Sequence, residues 1–119
     1  MYSITEQFIA WLASLGYRAS TRPPEEGPQC PPEFVTVERV GGGSSDMVDL
    51  PILAVQTWAQ SEPRAEQMAI SIRLASLTGP LPKGVHSVRV NSGPYQFYDQ
   101  STRCPRYQLM LTCAAQLTE

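Results

Sequence analysis

His86 is the only histidine in the chain and the natural place to look for acid–base chemistry. Asp99 could orient it, and Ser87 or Cys104 could be offered as a nucleophile. Such a set works only when nucleophile, base and orienting group lie within hydrogen-bond reach of one another. Nothing in the spacing of these residues provides for that, and the favoured reading is a structural or solvated histidine. Carboxylates pair up at Glu25 and Glu26, inside a proline-rich stretch, and at Asp46 and Asp49, beside a run of glycines. Both pairs read as solvated loop acids. Gly41, Gly42 and Gly43, followed by Ser44 and Ser45, raise the idea of a phosphate cradle. The lysine that such a cradle uses is missing, and no helix is predicted to follow. Cys30, Cys104 and Cys113 form an odd, widely spaced set, neither a disulfide framework nor a zinc knuckle. They read as free thiols. The sequence therefore points to no enzyme, no metal and no cofactor.

The bulk properties narrow the remaining classes. A length of 119 residues suits one domain with one core, and 42% hydrophobic against 17% charged residues is a globular balance. No apolar run approaches the ~20 residues that span a bilayer, and the N-terminus lacks the pattern of a signal peptide, so the expected site of synthesis and residence is the cytoplasm. The formal charge is −2, and the nine cations are scattered from Arg18 to Arg106. Tight nucleic-acid binding draws on clustered cations, so it is set aside as a main function.

The elements that must position any site follow from periodicity. Ser3 and Glu6 make an S-x-x-E cap for a helix from Ile4 to Leu15, with Ile4, Phe8, Trp11, Leu12 and Leu15 on its apolar stripe and Gly16 as its stop. Tyr17 to Thr21 suits a short strand, and the prolines between Arg22 and Pro32 predict an irregular surface loop. Phe34 to Val40 predicts a strand with Val35 and Val37 on one face, running into a mobile glycine hairpin tip. Leu50 to Ala59 reads as a central strand, apolar on both faces near its start, with Pro51 at its beginning or at an edge. Ser61 caps a second helix with Pro63 in its first turn and a buried stripe of Ala65, Met68, Ala69, Ile72, Ala75 and Leu77, ended by Gly79, Pro80 and Pro82. Three short strands follow, around His86 to Val90, Tyr95 to Asp99 and Tyr107 to Ala115, the last with Cys113 as a small buried hydrophobe. The sum is an α+β fold, two helices on a mostly antiparallel sheet in a single domain. The expected core is Phe8, Trp11, Leu12, Val35, Val37, Leu53, Val55, Met68, Ile72, Leu109 and Leu111.

Four segments carry a resemblance. They are Phe34-Val-Thr-Val-Glu-Arg-Val-Gly-Gly, then Asp49-Leu-Pro-Ile-Leu-Ala-Val-Gln-Thr-Trp-Ala, then the Ala- and Glu-rich helix from Ser61 to Ala69, and Pro105-Arg-Tyr-Gln at the last strand. In order and spacing they resemble the tail terminator family of long-tailed phages, in the form found in phages and prophages of actinobacteria. The proline stretch from Arg22 to Pro32 is longer and richer in proline than the family pattern. The resemblance implies a virion protein of the head-proximal tail end: a homo-hexameric ring on the major tail tube protein that halts tube polymerisation and joins the head-neck connector or stopper. Genomic DNA would pass through its lumen without specific binding, and no membrane is involved. Within such a ring the expected interface comprises the hairpin residues Gly41, Gly42, Gly43, Ser44, Ser45, Asp46 and Asp49, with Asp46 and Asp49 accepting from an adjoining ring, and Arg103 and Arg106 at protomer contacts. Competing readings are another neck protein, such as a head-completion or stopper ring, and a cellular α+β ligand-binding or dimerisation module.

Overall fold

The computed structural model describes residues 3–22, 33–45, 48–96 and 104–116. Its elements are α1 (Ile4–Ser14), β1 (Ala19–Ser20), β2 (Phe34–Ser45), β3 (Val48–Trp58), α2 (Glu62–Thr78), β4 (Val85–Gln96) and β5 (Arg106–Gln116). The five strands form one sheet in the order β1-β2-β3-β5-β4. β1 runs parallel to β2, and the other neighbours are antiparallel. This is the α+β architecture that the sequence predicts. The proline stretch lies outside the described residues.

Both helices start as their caps dictate. The Ser3 hydroxyl accepts from the Glu6 amide and the Ser61 hydroxyl from the Arg64 amide, each at 3.3 Å, filling one orphan donor per helix. Gly16, at φ +98°, supplies the left-handed turn after α1. α1 packs on β1 and β2, and α2 lies across β3, β5 and β4. Between helices and sheet sits one core in which Phe8, Leu12, Met68 and Ile72 meet Val35, Val37, Leu53, Val55, Leu109 and Leu111, all fully buried, with Trp11 at its margin. Every residue expected in the core is there. Two stripe members are not: Leu15 is 42% and Leu77 51% exposed. In α2 the buried row runs Ala65, Met68, Ala69, Ile72, Ser76, because 3.6 residues per turn carries the inward direction to position 76 rather than 77. The Ser76 hydroxyl donates to the Arg73 carbonyl, so its burial leaves no orphan.

The sheet departs from expectation in three places. The glycines are not a hairpin tip. Gly41, Gly42 and Gly43 are strand residues opposite Ile52, Pro51 and Leu50, and Ser44 and Ser45 continue the ladder to Asp49 and Val48. A bulge between Arg39 and Gly41 admits the change of register. At Gly42 φ is +102° and a Cβ would lie 2.1 Å from the Leu50 carbonyl oxygen, so close strand approach demands glycine there. Pro51 sits inside the central strand, fully buried. The β3–β5 register passes from Asp49↔Ala115 to Ile52↔Thr112 without Leu50 and Pro51, a gap that suits a residue with no amide hydrogen. Finally, the two short strands expected near His86 and Tyr95 are one. β4 runs unbroken from Val85 through a cis Gly93–Pro94 bond to Gln96, bulged at several points against β5. Phe97 and Asp99 lie outside the described residues.

Candidate functional site

The residues with chemical potential are kept apart by this fold. His86 is exposed on β4. Cys104 is disulfide-bonded and so is no free nucleophile. This corrects the free-thiol reading, which linear spacing could not test. Its partner lies outside the described residues, since Cys113 is free. Cys113 is 1% exposed, and burial pushes its thiol up to about 12. No cluster of metal-ligating side chains exists among the described residues. An open cleft of about 500 Å3 is lined by Arg18, Glu33, Gln60, Ser61 and Arg64. Two of its charges are matched to each other: Arg64 donates to both carboxylate oxygens of Glu33, at 2.6 and 2.9 Å, which lowers the pKa of Glu33 and raises that of Arg64.

The glycine hairpin has a built-in brace. Arg39 and Asp49 sit on β2 and β3, and the Arg39 guanidinium donates to both Asp49 oxygens, at 2.7 and 2.8 Å. The hydrogen bond and the carboxylate charge raise the Arg39 pKa against a smaller opposing effect of burial. Asp49, the acceptor expected to serve an adjoining ring, accepts within the chain from Arg39. The reason is register: Arg39 and Asp49 fall on neighbouring strands a few positions apart, within reach of a long side chain. Asp46 and Arg103 lie outside the described residues.

Arg106 is also drawn inward. It is 8% exposed, with its guanidinium carbon 4.5 Å from the Trp58 ring centroid. Trp58 stacks on Phe34 with centroids 5.2 Å apart. These groups occupy the sheet face opposite the helices. A polar row crosses that face, one residue per strand: Thr36 on β2, Gln56 on β3, Gln108 on β5 and Tyr95 on β4. The Thr36 hydroxyl donates to Gln56 Oε1 at 3.5 Å, Gln56 Nε2 to Gln108 Oε1 at 2.7 Å, and Gln108 Nε2 to the Tyr95 hydroxyl. The Trp58 indole donates to Thr36 at 3.2 Å. The sequence reading placed apolar groups on both faces of β3 but missed this row. Its signal is present in the alternation Thr36, Gln56 and Gln108 within otherwise apolar strands.

The sheet leaves two unlike edges. β1 covers β2 only at Val35 and Thr36, so from Val37 to Ser45 β2 has a strand neighbour on one side alone among the described residues. β4, at the other end, pairs with β5 alone among the described residues. β4 and β2 run in opposite directions, because each antiparallel step in β2-β3-β5-β4 reverses the chain. No family model matches this sequence, and no curated protein matches it.

Proposed function

We propose that the chain is a structural subunit of a long phage tail, a terminator whose copies join head-to-tail into a hexameric ring on the last ring of the tail tube, where they stop polymerisation and receive the head-neck connector. The reading rests on the resemblance of the four segments, and one structural observation supports it best: the pair of unlike open edges. A second copy rotated about an axis along the strands keeps its strand directions, so its β2 would lie antiparallel to the β4 of the first. Contacts of that kind use different surfaces on each copy and close into a ring when the rotation permits. The register is regular over Ser87–Val90 on β4 and over Gly41–Ser45 on β2, which leaves a usable stretch of each edge. The β2–β3 hairpin carries two of the four family-like segments and belongs to the β2 edge, which fits a role in meeting neighbours.

The test is assembly. Purified protein added to tail tubes that lack a terminator should cap one end, fix tube length and appear in end views as a six-fold ring. Tubes that keep growing, or capping by a ring of another order, would overturn the proposal. Binding to portal-bearing heads but not to tubes would favour a stopper or head-completion protein instead.

A further inference from the structure

α2 is apolar on two sides. Ala65, Met68, Ala69 and Ile72 face the core, while Ile70, Leu74 and Leu77 form a second stripe that is 50%, 59% and 51% exposed. A helix with two apolar faces usually has two neighbours. The outer stripe also has a direction. Glu62 accepts from Gln96 of β4, and Glu66 acts on Tyr107 of β5, so that flank of α2 looks toward β4. Arg64, on the other flank, reaches Glu33 at the start of β2. Ile70 and Leu77 lie one turn beyond Glu66 and Arg73, rotated by only about 40° from them. The stripe therefore leans toward the β4 edge.

We infer that the outer stripe of α2 receives helix α1 of the next copy. The inference rests on the ring reading. If the β2 of a second copy follows β4 at ~4.8 Å, its α1, which rides on β1 and β2, is brought alongside α2. The exposed side of α1 suits that place: Ala10 and Ala13 are small and exposed, which lets a helix with a ridge of Ile and Leu come close. Charge agrees as well. The exposed side of α1 carries one ionised group, Glu6; Arg73 flanks the α2 stripe between Ile70 and Leu77, while the two carboxylates earlier on that flank, Glu62 and Glu66, are engaged with Gln96 and Tyr107, and neither Glu6 nor Arg73 makes an ion pair among the described residues. The occupant is thus a second copy of this chain, in a heterologous contact where stripe and alanine face come from different molecules.

Cross-linking tests this on protein assembled on tail tubes. Leu74→Cys and Ala13→Cys are made separately; Cys113 is buried and Cys104 is disulfide-bonded, so background reactivity is low. A short bis-maleimide should give a dimer band from the mixed variants and none from either alone, and the double variant should give a ladder ending at the closed ring. Glu6→Arg should weaken ring formation at least tenfold, and adding Arg73→Glu should restore it, which loss of folding alone would not do. Rings without the mixed cross-link, or without rescue, would overturn the inference and leave the tail reading intact. The mixed cross-link without tube capping would uphold the contact and sink the tail reading. Absence of both would remove both.

Discussion

Arg39 and Asp49 hold each other across the β2–β3 ladder through two hydrogen bonds of 2.7 and 2.8 Å. Their side chains are 39% and 13% exposed, so water screens much of the attraction. Arg39→Ala should therefore cost about 0.5–1 kcal/mol in urea unfolding, the range of exposed pairs with good geometry. A loss above ~3 kcal/mol would place the pair in the class of buried ion pairs and contradict this account.

Two adjacent glycines should answer differently to the same substitution. Gly42→Ala drives a Cβ toward the Leu50 carbonyl at a φ of +102°, so it should destabilise by roughly 1–3 kcal/mol. At Gly43 an added Cβ meets nothing within 4 Å and φ is ordinary. Gly43→Ala should be neutral or stabilising by up to about 1 kcal/mol. Thermal melts of the two variants check this, and equal losses would mean that the glycines are not in the ladder described.

Leu53→Ala and Leu109→Ala each open the core between helices and sheet, where both residues are fully buried. Each should cost about 2–5 kcal/mol. Variants that melt with the parent protein would refute the assignment of these faces.

The thiols give a chemical readout. Denatured without reductant, the chain with its three cysteines should release one thiol, and folded protein should react slowly because Cys113 is buried. Burial raises the Cys113 pKa to about 12 in the folded protein. The folded state then holds its proton where the unfolded state has lost it, so this contribution to stability is complete below ~8.5 and falls as pH rises toward about 12. Cys113→Ala should flatten the alkaline stability curve measured by denaturant unfolding. An unchanged slope would show that Cys113 is not its source.

Much of the fold was legible because caps and periods are local. Ser3, Ser61 and Gly16 announce helix ends, and alternation along β3 and β5 places Leu53, Val55, Leu109 and Leu111 inside. What was not legible depends on partners distant in sequence. Gly41 to Gly43 look like a turn until β3 is set beside them, and Pro51 looks misplaced until the gap opposite β5 is seen. The slip from Ser76 to Leu77 is a rounding of the helical period, tempting because leucine is the more apolar residue. Asp49 and Arg106 have partners inside the chain, Arg39 and Trp58, and sequence alone does not show such contacts, because both depend on strand register.

The polar row of Thr36, Gln56, Gln108 and Tyr95 has a consequence for how the sheet assembles. Each strand contributes one member, and side chains alternate in direction along a strand. If any of the four strands slid by one position, its member would swing to the helix side and an amide or hydroxyl would enter the apolar core without a partner. An unsatisfied group of that kind costs about 1–3 kcal/mol. The row thus works as an alignment mark. Bulges near Arg39 and along β4, one of them ending at Tyr95 itself, offer places for a strand to creep, and a misaligned sheet is penalised along this line of residues.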